Sequence, residues 1–209
     1  MIAPTSSHGT TRAPADAAPV ARRVGVLALQ GAFREHRQIF DALGARAVEV
    51  RRPADLTGID ALVLPGGEST TMSLLLDSSG LYEPVAGLLG EGIPTLATCA
   101  GLILIARQVD GGRDDQRSFG VLDVAVLRNG YGRQVDSFEA TIDVLGVAGS
   151  FNAVFIRAPR ITSVGEAAEV LATVDGQPVL VRQGAILAST FHPELSGDLR
   201  LHQLFLGGA

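Results

Sequence analysis

A single cysteine, Cys99, and one His-x-Glu pair, His192 and Glu194, are the residues of this chain best suited to nucleophilic chemistry. Cys99 is the only cysteine in 209 residues and stands between two short apolar runs, with Gly101 close behind it. The pattern predicts a nucleophile on a tight strand-to-helix turn, where the positive end of the helix favours the thiolate. A buried structural cysteine is the alternative that this stretch leaves open.

A nucleophilic cysteine needs a base, and the segment TFHPELS supplies the best candidate. His192 follows an apolar run, and Pro193 disfavours a helix at that position. In an extended segment His192 and Glu194 share a face, so the carboxylate can orient the imidazole and stabilise its protonated form. A surface His–Glu pair without consequence is the alternative. His36 and His202 lie on predicted helices, and we expect them to be solvated or partly packed at the surface.

A glycine turn, PGGES at 65–69, follows another apolar run. Two glycines let the backbone come close to a ligand and can present N–H groups to a developing oxyanion. A phosphate-binding loop is a rival interpretation, although no lysine follows the glycines as in a P-loop; a plain tight turn is another.

The first half of the chain alternates apolar runs with helical patterns, which predicts a parallel sheet with helices on both faces. The predicted strands are 23–29, 45–50, 61–65 and 93–98, and the first helix is 34–44, with an apolar stripe at Ile39, Phe40 and Leu43. In such a sheet the turns LQG, PGGES and TCAG all follow strands, so we expect them to meet at one edge.

The second half is rich in β-branched residues and loses this alternation, which predicts additional mixed or antiparallel strands. These strands are expected at 119–129, 153–159 and 168–190, before a closing helix at 197–206. Residues 1–22, rich in Ala, Pro, Ser and Thr, are expected to form a disordered tail. The prediction is therefore one α/β domain over 23–209.

Composition narrows the range of functions. The net charge of −5 and a pI near 5.3 argue against nucleic acid as a partner. A lone cysteine allows no internal disulfide, which favours a reducing compartment and predicts a cytoplasmic protein. No apolar stretch is long enough to span a bilayer, so no membrane partner is expected. No metal is expected either, because there is no second cysteine and the histidines lack ligand spacing.

The chain resembles the glutaminase subunits of pyridoxal 5′-phosphate synthase, a family of class I (triad) glutamine amidotransferases with a flavodoxin-like fold. The resemblance runs from about Arg23 to Phe205. The stretches that carry it are GVLALQGAFREH, LVLPGGESTTM, ATCAGLILIA, RNGYGRQVDSFEA, VFIRAPRI and FHPEL. A triad glutaminase in general would share only the cysteine turn and the His-x-Glu, whereas PGGESTT, GRQVDSFE and FIRAPRI are similar to this family in particular.

The resemblance implies hydrolysis of L-glutamine to L-glutamate and ammonia through a Cys99–His192–Glu194 triad and a thioester. It also implies that the N–H groups of Gly67 and Ala100 stabilise the oxyanion. The glutamine contacts carried over from the family are Gly67, Glu68, Ser69, Arg128, Ile156 and Arg157. An arginine among these contacts suits a substrate that carries a carboxylate.

A protein partner is implied as well. In the family, ammonia passes to a separate barrel-type synthase subunit within a large hetero-oligomer, and docking activates the glutaminase. Gln30 matches the interface residue linked to this activation. The glutaminase step needs no cofactor, because pyridoxal phosphate would be the product of the complex.

Three other interpretations stay open. A glutaminase serving another synthase, such as the histidine-pathway type, should lack GRQVDSFE and FIRAPRI. A protein that docks without chemistry and a small doubly wound cysteine hydrolase are the other two. The cysteine turn departs from the family pattern at one position, since Ala97 stands where that turn usually has glycine. Alanine is small enough for that turn if the position does not need a positive φ.

Overall fold

A computed structural model describes residues 21–112, 117–128 and 137–208 of the chain. The strands are β1 (Arg23–Leu27), β2 (Arg46–Val50), β3 (Ala61–Leu64), β4 (Thr95–Thr98), β5 (Ala106–Asp110), β6 (Leu122–Leu127), β7 (Ser137–Asp143), β8 (Ser150–Ile156), β9 (Arg160–Val164), β10 (Glu169–Val174), β11 (Gln177–Gln183) and β12 (Ile186–Ser189). The helices are α1 (Phe33–Ala42), α2 (Ser69–Ser78), α3 (Tyr82–Gly90), α4 (Ala100–Ile105) and α5 (Arg200–Gly208), with 3₁₀ turns at Pro53–Leu56 and Pro193–Leu195.

The central sheet has seven strands in the order β10-β11-β12-β4-β3-β1-β2. The five strands from β12 to β2 are parallel, and β11 and β10 extend one edge in antiparallel pairing. A second sheet, β5-β6-β9, combines one parallel and one antiparallel pair, and β7 and β8 form a separate hairpin. The predicted α/β fold, with a mostly parallel centre and mixed strands in the second half, is confirmed.

Helices cover both faces of the central sheet, as predicted. Along β3, Leu62 and Leu64 pack in one cluster with side chains of α2, α3 and α4. Ala61 and Val63 point the other way, into a cluster with side chains of α1 and α5. Because all four β3 residues are fully buried, the strand appears in the sequence as an unbroken apolar run rather than an alternating one.

The carboxyl ends of β1, β3, β4 and β12 lie at one edge of the sheet, since these strands run parallel. Backbone hydrogen bonds connect the loops there. The N–H of Ala32, after β1, donates to the carbonyl oxygen of Gly66, after β3, at 3.0 Å. The N–H of Cys99, after β4, donates to the carbonyl oxygen of Ser189, at the end of β12, at 2.8 Å. The predicted meeting of three loops is therefore present, and a fourth segment joins it.

The proposed boundary of the N-terminal tail stays a prediction, because positions 1–20 of the predicted tail lie outside the described residues. Most of the RNGYGRQVDSFEA stretch, at 129–136, also lies outside them. In the part of the chain that the structure describes, no helix is both long and apolar enough to cross a membrane.

Gly101 is held where a side chain does not fit, which makes it a sharp test of the fold. A Cβ there would overlap the carbonyl oxygen of Leu64, because α4 lies directly on β3. We expect Gly101→Ala to lower the free energy of unfolding by about 2 kcal/mol or more. Gly87→Ala is the matched control: a Cβ at this exposed α3 position meets nothing within 4 Å. It should raise stability by about 0.5–1 kcal/mol. Urea unfolding measures both, and a Gly101→Ala protein as stable as the original would contradict the packing described.

Candidate active site

The loops at this edge of the sheet line a pocket of about 360 Å³, a volume within the range of small-molecule sites. Every site residue predicted from the sequence lines it except Glu194 and Ala100. Those that line it are Gln30, Gly67, Glu68, Ser69, Cys99, Arg128, Ile156, Arg157 and His192. Glu194 lies behind His192, and Ala100 is the first residue of α4.

The cysteine turn is strained at the cysteine itself. Cys99 has φ 48° and ψ −103°, a conformation that costs energy for any residue with a Cβ. It lies between the last residue of β4 and the first residue of α4, and only 6% of it is exposed. Since α4 has only six residues, its dipole is a weaker support for a thiolate than the sequence suggested.

Ala97, the departure from the family pattern, fits without strain. It lies within β4, where it pairs with Leu64 of β3 and Ala188 of β12. Its φ is not positive, so the position does not require glycine. Alanine is therefore accommodated in the strand, and the strained conformation is confined to Cys99.

Strand pairing brings His192 beside Cys99, although the two are far apart in the sequence. β12 pairs in parallel with β4 so that Ser189 faces Thr98, and the residues after both strands leave the sheet together. The N–H of His192 then donates to the carbonyl oxygen of Val154 in β8 at 2.8 Å, which fixes the backbone of this segment.

His192 and Glu194 form a buried pair. The Nδ1 atom of His192 lies 2.6 Å from Oε1 of Glu194, and the Glu194 side chain is fully buried. The predicted proximity is present, but the predicted extended segment is wrong: Pro193–Leu195 is a 3₁₀ turn that folds the carboxylate back toward the ring. With Nδ1 engaged, Nε2 is the ring nitrogen left for another partner.

The pKa values of the pair move in opposite directions. Burial acts to lower the pKa of His192, but hydrogen bonds to the Cys99 thiol and the Glu194 carboxylate raise it to about 10. Burial acts to raise the pKa of Glu194, but the neighbouring His36 and His192 hold it well below its usual range. An imidazolium next to Cys99 favours the thiolate, which is the nucleophilic form.

The two glycines of PGGES let other groups approach closely. A Cβ at Gly66 would overlap the imidazole of His192, and a Cβ at Gly67 would overlap the side-chain oxygen of Gln30. That Gln30 oxygen accepts a hydrogen bond from the N–H of Glu68 at 2.8 Å. The turn is thus held between the loop after β1 and the histidine.

Glu68 is occupied with protein partners. Its carboxylate caps α2 by accepting from the N–H groups of Thr70 and Thr71 and from the Thr71 hydroxyl, at 2.7–3.1 Å. Arg128 donates to the same carboxylate at 3.0 Å and to the Thr70 hydroxyl at 3.0 Å. Burial acts to raise the pKa of Glu68, but the hydrogen bonds from the two threonines lower it to about 2. The side chain therefore stays ionised and holds Arg128 at the pocket wall.

The FIRAP segment forms a further wall. The Cys99 thiol donates toward the carbonyl oxygen of Ile156 at 4.0 Å. Arg157, which follows, is exposed and has φ 43°, a second strained residue at the pocket. Among the described residues, no group of three His, Cys, Asp or Glu side chains is arranged to hold a metal ion.

The expectation that His36 and His202 lie at the surface is wrong, because both are fully buried. His36 Nε2 lies 3.3 Å from Oε2 of Glu194 and 3.2 Å from the hydroxyl of Thr98, so it belongs to the site. The sequence did contain a signal. His36 precedes Ile39 and Phe40 by three and four positions, which continues the apolar stripe of α1 by one turn.

Comparisons with known proteins identify the family of this chain. A family model for the SNO glutamine amidotransferase family matches residues 26–208. The chain belongs to the SNO glutamine amidotransferase family. It is thus an enzyme of the glutamine amidotransferase class, and the predicted family is confirmed.

Curated relatives support the same assignment. "Pyridoxal 5′-phosphate synthase subunit PdxT" of Frankia casuarinae is 55% identical over 88% of this chain and 93% of its own length. The protein of the same name from Deinococcus radiodurans is 56% identical over 88% of this chain and 95% of its own.

Solved structures match as well. One described as a glutamine amidotransferase superposes with a TM-score of 0.83 at 50% identity, over 88% of this chain and 97% of that one. PurLQS from Thermotoga maritima shares the fold, with a TM-score of 0.65 at 15% identity over 90% of this chain and 99% of that one.

The raised pKa of His192 predicts how stability depends on pH. The pKa of His192 in the folded protein, about 10, exceeds its ordinary value of 6.5. Protonated His192 therefore stabilises the folded state fully below pH 6.5, and this contribution is lost as the pH rises toward 10. The chain contains no lysine, so few other groups titrate in this window. We expect the free energy of unfolding to fall by roughly 1–3 kcal/mol between pH 6.5 and 9.5.

In Glu194→Gln the decrease in the free energy of unfolding over the same pH range should be smaller by about 1 kcal/mol or more, because this variant lacks the carboxylate that stabilises the imidazolium. Glu91→Gln, at an exposed carboxylate after α3, is the control and should leave the pH dependence unchanged. Urea unfolding at several pH values gives the comparison. An equal fall in the original protein and in Glu194→Gln would contradict the charged pair.

Proposed function

We propose that this protein is the glutaminase subunit of a pyridoxal 5′-phosphate synthase, which hydrolyses L-glutamine and delivers ammonia to a partner synthase subunit. The observation that carries the glutaminase activity is the strained turn that holds Cys99 in one pocket with His192 and the PGGES glycines. The pathway is supported by the relatives of Frankia and Deinococcus, which are named as subunits of that synthase. A reduced thiol is needed for this chemistry, which agrees with a cytoplasmic location.

The first half of the reaction forms a thioester. In the resting pair Nε2 of His192 already holds the proton of the Cys99 thiol. The Cys99 sulfur attacks the side-chain amide carbon of glutamine, and Nε2 of His192 delivers this proton to the departing ammonia. Negative charge develops on the amide oxygen during the attack. The N–H groups of Gly67 and Ala100 are the proposed donors to this oxyanion, and the first N–H groups of a helix have no partner within it.

The second half releases glutamate. Water attacks the thioester carbonyl carbon while His192 accepts its proton, and the same two N–H groups stabilise the second oxyanion. The proton then returns to the cysteine sulfur as the carbon–sulfur bond breaks. Glu194 keeps Nδ1 of His192 protonated throughout and thereby keeps Nε2 directed at the reacting atoms.

Substrate recognition falls to the arginines at the pocket wall. A guanidinium has five N–H donors, so Arg128 can serve Glu68 and the α-carboxylate of glutamine together, and Arg157 lies on the neighbouring wall. Glu68 already accepts four hydrogen bonds. Its proposed part in glutamine binding is therefore to position Arg128 and to offer its backbone.

Gln30 is the proposed link to the synthase partner. Its side chain connects the loop after β1 to the N–H of Glu68, one residue from the proposed oxyanion donor Gly67. A partner that docks on this loop would act on the oxyanion turn directly. Activation by docking therefore needs no long-range pathway through the fold.

Ammonia release from L-glutamine tests the proposal, using the chain alone and the chain with a pyridoxal phosphate synthase partner subunit. We expect release to appear or rise with the partner, and Cys99→Ala to reduce it at least about 10³-fold in both settings. Strong release that ignores the partner would contradict the pathway. If no mixture releases ammonia and a glutamine-analogue electrophile leaves Cys99 unlabelled, the protein docks without chemistry and the glutaminase proposal is wrong.

Gly66→Ala tests the close approach of the glycine turn to the base. A methyl group there would displace the imidazole of His192, and a displacement of about 1 Å costs on the order of 10²-fold in rate. We expect kcat to fall by that amount in a protein that still unfolds cooperatively in urea. Gly90→Ala, at an exposed position where a Cβ meets nothing within 4 Å, is the control and should keep full activity. A fully active Gly66→Ala enzyme would contradict the geometry.

A further inference from the structure

Glu194 has two oxygens, and the triad uses only one of them. Oε1 lies 2.6 Å from Nδ1 of His192. Oε2 is buried and has no linear hydrogen bond within the described part of the chain, yet Nε2 of His36 lies 3.3 Å from it. A carboxylate cannot donate a proton, so this approach is favourable only if Nε2 of His36 carries an N–H. The same Nε2 atom lies 3.2 Å from the hydroxyl oxygen of Thr98, so its N–H lies between the carboxylate and this hydroxyl.

His202 supports the same placement of protons. Burial lowers the pKa of His202 to about 3, so its ring is neutral and has one N–H. Nδ1 of His202 is buried without a partner among the described residues, and an orphaned buried N–H is rarer than an orphaned acceptor. The N–H is therefore on Nε2, which lies 2.9 Å from Nδ1 of His36 and donates to it. This leaves the proton of His36 on Nε2, facing Glu194.

His36 lies among packed rings of α1 and α5. Its ring lies 5.1 Å from the ring of His202, which in turn meets Phe40 edge to face at 5.2 Å, and Phe205 packs on Phe40 at 6.1 Å. His36, His202, Phe40 and Thr98 are all fully buried. Thr98 is also the neighbour of Cys99 in the chain. One imidazole therefore touches both the carboxylate behind the base and the strand that carries the nucleophile.

We propose that His36 is a positioning residue of the triad, which holds the Glu194 carboxylate through Oε2 so that Oε1 keeps His192 directed at Cys99. The proposal rests on the triad proposed above. It adds a fourth member that never touches the substrate. Its loss should lower kcat and leave the KM for glutamine nearly unchanged, because the pocket walls stay as they are.

Three substitutions at His36 separate positioning from packing. His36→Leu removes the N–H group. His36→Gln keeps an N–H donor near the position of Nε2, whereas the side chain of His36→Asn is too short for its N–H donor to reach Glu194. Phe40→Leu is the matched control, since it lies on the same buried face of α1 but Glu194 is not among its ring contacts. The measurements are kcat and KM in the complex with the synthase partner, urea unfolding, and the imidazole titration of His192 by NMR.

We expect His36→Leu and His36→Asn to lower kcat about tenfold or more with KM within about twofold. His36→Gln should stay within about threefold of the original, and Phe40→Leu should lose stability but not kcat. The titration midpoint of His192 should fall in the Leu and Asn variants and not in Phe40→Leu.

Equal kcat in the Gln and Asn variants would overturn the proposal, and so would a Phe40→Leu enzyme as impaired as His36→Leu. If His36→Leu does not fold, the Gln and Asn pair decides. The His192 titration does not depend on turnover. If the original protein releases no ammonia, the glutaminase proposal fails, while a shifted midpoint would still support His36 as the support of Glu194.

Discussion

The parallel pairing of β12 with β4 is the contact on which the site depends. It sets Ser189 opposite Thr98, so the segments that follow the two strands leave the sheet side by side at the same edge. The hydrogen bond from the N–H of Cys99 to the Ser189 carbonyl continues the pairing one step beyond the strand. Pairing between such distant segments closes a long loop, which carries an entropic cost. The base therefore reaches the cysteine through the tertiary fold and not through local sequence.

Burial, together with the nearest partner of each group, explains why the pKa values of the ionisable side chains near this pairing shift in different directions. Removing a charge from water is always unfavourable, and a group stays ionised inside the protein only where a partner offsets that cost. Glu194 has imidazoles on both sides, so its pKa falls, and His192 has a carboxylate and a thiol, so its pKa rises. For His202 burial is the largest effect, and its pKa falls. One carboxylate thus contacts two of the histidines, His36 and His192.

Much of this arrangement can be predicted from sequence, and the part that cannot has a clear physical reason. Unbroken apolar runs and the turns that follow them place Cys99, PGGES and the loop after β1 at one edge, since parallel strands share a direction. His36 escapes this logic because a hydrophobic stripe is found by counting apolar residues, and a buried imidazole is counted as polar. Only the three-dimensional pairing with Glu194 reveals why that position tolerates a histidine.

Backbone conformation carries information that residue types do not. Three described residues other than glycine have a positive φ: Cys99, Arg157 and Asp175. Asp175 precedes Gly176 in the tight turn between β10 and β11, where aspartate is usual. The other two line the pocket from separate segments, and the Cys99 thiol reaches toward the carbonyl of Ile156 next to Arg157. Strain at two facing positions persists only where the surrounding structure enforces it. Ala97 has ordinary strand pairing and no positive φ, whereas Cys99, two residues later, has the strained conformation.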